Sequence, residues 1–275
     1  MSEKKQLISK NTSLCFRGIA ILMVVFSHYF EWGESVINPS GFVTFMKALG
    51  DPGVGIFFFL SGYALYKGYG ERRPNSRYIW SRIKNMYLPY LLISGFIVIY
   101  VGGFDSFHSV IRWLLGFDYW FIAIIMVIYI AFFLVGQLPK WRITIMTLFI
   151  LCMSMWLYIK GCQVFWYDAN WCFALGMILA KYDSGLSFVK RGFCINIKSH
   201  LFGRLGRVSL YVYMLHSFLY MQIMNKQAFM DLNISWYGKM FINLVIAIFV
   251  AIIFERIMTI VYSLIERTVF GKRNN

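Results

Sequence analysis

The chain has 275 residues, of which 59% are hydrophobic and only 14% are charged. Soluble domains contain about 25% charged residues, so this composition excludes a soluble globular protein. The long apolar stretches instead indicate an all-α integral membrane protein, because in lipid a helix pairs every backbone polar group within its own segment. The net charge of +15 does not indicate a nucleic-acid partner, because the basic residues follow the loops between the apolar stretches.

Eight apolar stretches predict a multi-pass bundle of about eight to ten membrane-spanning helices. They are residues 14–33, 53–70, 86–103, 118–136, 143–160, 164–181, 207–225 and 240–262. No polar stretch between them is long enough to fold separately. We therefore expect residues 1–275 to form a single membrane domain.

Lysine and arginine are distributed unequally between the loops. With a cytoplasmic N-terminus, the cytoplasmic segments contain 22 of these residues and the opposite segments contain 5. This bias is the positive-inside pattern. It predicts a protein of the cell membrane with both termini in the cytoplasm. Basic loops on that side also favour contact with anionic membrane lipid.

Arg17 and His28 lie eleven residues apart in the first apolar stretch. At 3.6 residues per turn, their side chains are about 20° apart around the helix and roughly 16 Å apart along it. Ionisable groups within a membrane span usually face a protein interior or a wet cavity. The pair therefore predicts a proton acceptor near one membrane face and an anion-binding group near the other. Two other interpretations stay open, namely Arg17 as a topology anchor and His28 as an interfacial or helix-bridging residue.

Four further residues carry weaker signals. Arg82 and Lys84 precede the third stretch and indicate either positive-inside charge or a cytoplasmic phosphate site. Ser61, in the glycine-rich second stretch, is expected to hydrogen-bond a buried group rather than act as a nucleophile. His216, near the middle of the seventh stretch, is either a neutral hydrogen-bonded interior residue or a catalytic group.

The five cysteines have no metal-ligand spacing, so no metal site is expected.

Several short motifs occur in a fixed order over roughly residues 13–268. They are Arg17-x10-His28, the Gly53–Tyr63 segment with its Ser61-Gly62 pair, Arg82 followed by Pro89-Tyr90, Tyr119-Trp120-Phe121, Phe173–Gly176, Ser209 followed by Leu215-His216, and Glu266. In this ordered series the chain resembles the acyltransferase-3 family of multi-pass membrane acyltransferases.

The resemblance implies transfer of an acyl group, mostly acetyl, from acetyl-CoA to a sugar hydroxyl of a polysaccharide or lipid-linked glycan. It implies that His28 is the general base, or alternatively an acyl-carrying nucleophile. It also implies that Arg17, Arg82 and Lys84 bind the phosphates of coenzyme A. The acyl-CoA is then a donor substrate, and no permanently bound cofactor is expected. The family often has a second arginine three positions after the one that matches Arg82, where this chain has Asn85.

Two other functions are compatible with these residues. One is a proton-coupled transporter with a relay through His28 and His216, and the other is a non-catalytic flippase or assembly partner of a glycan pathway. The lack of an internal repeat and the scarcity of acidic residues in the apolar stretches weigh against the transporter. Proton-coupled uptake without acetyl-CoA turnover would support it, and failure to bind acetyl-CoA would support the flippase.

Overall fold

The computed structural model describes residues 6–138, 140–186, 193–224, 226, 229 and 231–270, without the side chains of residues 184 and 266–270. Within this part the chain is helical, apart from connecting loops and one isolated bridge between Ile8 and Ile195. The expectation of an all-α protein is therefore confirmed. The side chain of Glu266, the last residue of the motif series, lies outside the described part.

Eleven α-helices, numbered here in chain order, make up most of the described residues. They are α1 (Lys10–Trp32), α2 (Gly41–Lys47), α3 (Gly50–Tyr69), α4 (Ser76–Arg82), α5 (Leu88–Tyr100), α6 (Phe107–Leu114), α7 (Trp120–Val135), α8 (Arg142–Ile159), α9 (Trp171–Tyr182), α10 (His200–Met224) and α11 (Trp236–Phe270). A π-helical turn joins α4 to α5, and one 3-10 turn lies on each side of α9. These turns are Ile83–Tyr87, Val164–Trp166 and Asp183–Gly185.

Five helical stretches in the described residues are long and apolar enough to cross a membrane. They are Lys10–Trp32, Gly41–Tyr69, Ser76–Tyr100, Arg142–Ile159 and Trp236–Ile265. The other three predicted spans coincide with α7, α9 and α10. Of these, α7 and α9 have only 16 and 12 residues, and α10 is not apolar enough along its length. A membrane protein is thus supported, whereas the count of eight spans is not confirmed.

The described residues divide into two compact units. The first consists of Met1–Trp80 with Asp105–Arg207, and the second of Ser81–Phe104 with Val208–Asn275. Arg17, His28 and Ser61 belong to the first unit, and Arg82, Lys84 and His216 to the second. The expectation of one domain stays a prediction.

Local sequence explains where the main helices of the first unit begin. The Ser9 hydroxyl accepts a hydrogen bond from the backbone N–H of Thr12 and so caps α1. Asp51 and Pro52 lie in the first turn of α3. At that position a carboxylate complements the helix dipole, and proline has no intrahelical bond to lose.

Helix α3 packs most extensively against α9, and α1 packs against α3. Glycines permit the closest approach. A Cβ on Gly62 would overlap the backbone carbonyl of Phe173, and a Cβ on Gly176 would overlap that of Phe59. The backbones of α3 and α9 therefore lie directly against each other, as small residues allow in membrane proteins.

Buried polar contacts fix the start of α1 to the ends of α3 and α9. The Asp183 carboxylate is fully buried and accepts hydrogen bonds from the Tyr63 hydroxyl at 2.5 Å, the Leu7 N–H at 3.1 Å and the Lys67 ammonium. The Tyr63 hydroxyl accepts in turn from the Ile8 N–H at 3.2 Å. A buried carboxylate without such partners would be strongly destabilising. These bonds therefore hold the three helix ends together.

Candidate functional site

Arg17 and His28 lie on one unbroken helix, α1, as the sequence predicts. Ile21 and Val24 lie between them on the same helical face, with exposures of only 0% and 2%. The strip from Arg17 to His28 therefore faces neighbouring helices of the first unit rather than hydrocarbon. Both ionisable side chains are half-buried at its ends.

Several contacts form around His28 at the C-terminal end of α1. Its imidazole stacks on Trp32, one turn later, with ring centroids 5.3 Å apart and planes inclined by 23°. The adjacent Ser27 hydroxyl donates a hydrogen bond to the backbone carbonyl of Lys47 at 2.5 Å. The Lys47 ammonium also pairs with Glu34 at 2.9 Å. The stacking on Trp32 orients the imidazole, and the other two contacts fix the end of α1 to the segment that follows it.

The beginning of α3 covers the same strip of α1. A Cβ on Gly53 would lie 2.9 Å from both the Ala20 carbonyl oxygen and Val24 Cγ2. A Cβ on Gly50 would lie 2.7 Å from the Ser27 hydroxyl oxygen. Glycine at these positions lets α3 pack directly on α1 beside the strip.

A cavity of about 470 Å³ opens between the starts of α3 and α9. Asp51, Asp168 and Trp171 line it, and the described lining does not include His28. Oδ1 of Asp168 is buried and has no hydrogen-bond partner among the described residues. Asp51 contributes the second carboxylate of the lining, and Trp171 is 50% exposed. Carboxylate oxygens accept hydrogen bonds from hydroxyl groups, and an indole face packs on apolar C–H groups. The cavity thus combines a mostly apolar lining with two carboxylates and an aromatic ring.

The sequence alone does not single out Asp51, Asp168 or Trp171. The chain has only 12 acidic residues, so an aspartate at the start of both the second and the sixth apolar stretch is a signal that could have found the cavity. Among the described residues, no group of three His, Cys, Asp or Glu side chains is placed to hold a metal ion.

Ser61 and His216 are hydrogen-bonded, each within its own unit. The Tyr129 hydroxyl donates to the Ser61 hydroxyl oxygen at 3.3 Å. His216 is 2% exposed, and its Nδ1 lies 2.6 Å from the Tyr213 carbonyl oxygen and 3.2 Å from that of Val212. A carbonyl oxygen only accepts, so Nδ1 carries the proton. This burial and bonding are typical of a hydrogen-bonded interior histidine, and the choice between the two interpretations stays a prediction.

Arg82 and Lys84 lie at the π-helical turn of the second unit. The hydrogen bonds around this turn explain why the helix widens there. The Leu88 N–H donates to the Ile83 carbonyl, so the next bond in this register would run from residue 89 to the Lys84 carbonyl. Pro89 has no N–H, and the Tyr262 hydroxyl of α11 donates to that carbonyl instead.

The side chains at this turn are also positioned by their neighbours. The Lys84 ammonium lies 5.0 Å from the centroid of the Tyr262 ring, within the range of a cation–π interaction. Nη2 of Arg82 donates to the Ser81 hydroxyl oxygen at 2.9 Å. Both predicted phosphate-binding residues are therefore held at the point where the helix widens.

Comparison with models of protein families gives a match that includes most of the candidate residues. A model of the acyltransferase-3 family, described as an acyltransferase domain, matches residues 15–199. The matched segment includes the Arg17–His28 strip, the π-helical turn and the cavity with two carboxylates, but not His216. No curated protein and no solved structure gives a significant match. The match covers more than half of a chain whose helices are long and apolar enough to cross a membrane, and the chain therefore belongs to the acyltransferase-3 family of membrane acyltransferases.

Proposed function

We propose that the protein is a membrane O-acyltransferase that transfers an acetyl group from acetyl-CoA to a sugar hydroxyl of an extracytoplasmic polysaccharide or glycolipid. The observation that carries this proposal is the buried strip of α1 with Arg17 at one end and His28 at the other. It lies within the segment that the family model matches. It offers a titratable imidazole and a permanent cation inside the protein.

His28 is the proposed general base. The neutral imidazole takes the proton of the sugar hydroxyl as that oxygen attacks the thioester carbonyl. The tetrahedral intermediate then collapses, the carbon–sulfur bond breaks, and the imidazolium returns the proton to the leaving thiolate. The products are a sugar acetate ester and coenzyme A, and the histidine is restored.

The donor is proposed to bind from the cytoplasm, because coenzyme A is made there and the basic residues of the chain favour that side by 22 to 5. Arg17 would bind a phosphate group with its planar fork. A donor held there would have to extend roughly 16 Å to bring its thioester to His28.

Arg82 and Lys84 are proposed to bind phosphate within the second unit. In support, they lie at a π-helical turn, a feature that is frequent at functional sites. Their charge is the type that phosphate oxygens bind through charge-assisted hydrogen bonds.

The acceptor sugar is proposed to occupy the cavity between the starts of α3 and α9. The buried oxygen of Asp168 would accept a hydrogen bond from a sugar hydroxyl, and the exposed ring of Trp171 would pack on the sugar. The volume of about 470 Å³ is within the range of small-molecule sites.

Deleting the gene and measuring ester-linked acetate on the surface polysaccharide by NMR tests this function. We expect the acetate signal to disappear in the deletion strain and to return with the wild-type gene. An unchanged signal, together with proton-coupled uptake by proteoliposomes that do not consume acetyl-CoA, would assign the protein to transport instead.

A further inference from the structure

A second cavity of the first unit lies at the other end of α3. It has a volume of about 440 Å³ and is lined by the end of α3, the start of α8 and the end of α9. Its charged lining consists of Lys140, Arg142 and Lys181 with one described carboxylate, Glu71. The cations therefore outnumber the anion in a space of the size that small ligands occupy.

Arg142 is held rigidly at this cavity. Its Nη1 donates hydrogen bonds to the backbone carbonyls of Tyr69, Gly70 and Arg72 at 3.2, 3.0 and 3.1 Å, and its Nε donates to that of Leu138 at 2.7 Å. The first of these carbonyls belongs to the last residue of α3 and the next two follow it, so the guanidinium caps that helix. The bonds fix the plane of the guanidinium beside the cavity.

The other charges converge on the same space. Lys140 and Lys181 are exposed at the cavity. The Tyr66 side chain lines the same cavity. Three cations facing one carboxylate produce a positive potential that attracts anions.

Trp141 lies between Lys140 and Arg142 in the chain and lines the cavity. Its φ of 65° is in the left-handed region, and it is the only non-glycine residue at positive φ among the described residues. Its side chain is 73% exposed. Strained residues of this kind cluster at ligand-binding sites, and here the strain places a planar ring next to the cations.

We propose that this cavity binds a phosphate-bearing ligand, with Lys140, Arg142 and Lys181 as its cationic partners. Phosphate oxygens accept charge-assisted hydrogen bonds from ammonium and guanidinium groups. Two sources supply such phosphates on the cytoplasmic side, namely coenzyme A and the headgroup of an anionic phospholipid. The coenzyme A source rests on the proposed function, whereas the lipid source does not.

The test compares the wild-type chain with a Lys140→Gln/Lys181→Gln double variant, each purified in nanodiscs. The matched control is Lys160→Gln, which removes an exposed lysine at the other end of α8. Arg142 is left unchanged because it caps α3. Two quantities are measured, the affinity for coenzyme A in phosphatidylcholine nanodiscs and the rise in melting temperature when phosphatidylglycerol is added. Equal melting temperatures in phosphatidylcholine alone show that the double variant is folded.

If coenzyme A is the ligand, the double variant loses at least about tenfold in affinity for it. If the lipid is the ligand, the double variant loses the phosphatidylglycerol-dependent rise in melting temperature. Lys160→Gln keeps both properties in either case. The proposal is overturned if the double variant equals the wild type in both measurements, or if the wild type responds to neither probe. Both measurements report binding and not acetyl transfer. They therefore test this proposal even if the protein proves not to be an acetyltransferase.

Discussion

Arg17 and His28 share one face of α1 but have different chemical requirements. Arginine stays charged and needs an anionic partner or water, whereas histidine works in its neutral form and accepts burial more easily. The spacing of the two residues and their shared face can be read from the sequence. The burial of Ile21 and Val24 between them cannot, because it depends on α3, which packs against this strip at Gly53.

Replacing Arg17 with lysine separates phosphate binding from membrane anchoring. Lysine keeps the positive charge but lacks the planar fork that holds two phosphate oxygens. We expect the KM for acetyl-CoA to rise by about tenfold or more, with the amount of inserted protein unchanged. Steady-state kinetics on the purified variant provide the measurement. An unchanged KM would mean that Arg17 acts only as a topology anchor.

Replacing Asp168 with alanine tests the acceptor cavity. If Asp168 binds a sugar hydroxyl as proposed, its loss should raise the KM for the glycan by about tenfold and leave the KM for acetyl-CoA unchanged. Polysaccharide from the deletion strain serves as the acceptor. The control is Asp105→Ala, which removes an exposed carboxylate from a loop. Equal acceptor KM values in the two variants would exclude this cavity as the sugar site.

At the scale of helices, hydropathy places α1 and α3 to within a few residues but fails at α9. The apolar stretch 164–181 predicts a span, whereas the helix begins only at Trp171. The aromatic residues before Trp171 are not part of the α-helix. One of them, Phe165, packs on Trp120 with ring centroids 5.2 Å apart. Hydropathy cannot predict the π-helical turn either, because this turn depends on a long-range hydrogen bond from Tyr262.

The two glycines of α10 predict opposite responses to a methyl group. A Cβ on Gly206 would overlap the backbone carbonyl of Leu14 in α1, whereas a Cβ on Gly203 would meet nothing within 4 Å. We expect Gly206→Ala to lower the free energy of unfolding by about 1–3 kcal/mol through overpacking. Gly203→Ala should be neutral or slightly stabilising, because alanine favours a helix.

The comparison needs only the melting temperatures of the two purified variants in detergent. A clear decrease for Gly206→Ala alone agrees with close packing of α1 on α10. Equal melting temperatures would show that the two helices are not in backbone contact.

At the scale of the whole molecule, the composition predicts a membrane protein, and the order of the motifs predicts the acyltransferase-3 family. The apolar helices support the first prediction and the family match supports the second. The shapes of the cavities at the two ends of α3 could not be predicted, because each is formed by segments far apart in sequence, although the aspartates near the starts of α3 and α9 are a signal for the first one. The orientation of the chain in the membrane stays a prediction from its basic residues.

Two native cysteines can test that orientation. Cys162 follows α8 and Cys194 precedes α10, and both are at least partly accessible. With a cytoplasmic N-terminus, an impermeant maleimide added to spheroplasts should label Cys162, and Cys194 should react only after lysis. Serine variants of each cysteine identify the labelled site by mass spectrometry. Labelling of Cys194 in intact spheroplasts would contradict the predicted orientation.

The rate of acetyl transfer by a His28→Gln variant tests the central claim most directly. Glutamine keeps a polar side chain at this position but cannot act as a base near neutral pH. The purified variant, the wild type and a control, His108→Gln, are supplied with labelled acetyl-CoA and polysaccharide from the deletion strain. His108 is exposed on the short helix α6 and has no assigned role. We predict that His28→Gln lowers kcat by about 10²–10⁴-fold, while His108→Gln transfers acetate at the wild-type rate. A folded His28→Gln protein with wild-type kcat would contradict the role of this histidine as the catalytic base.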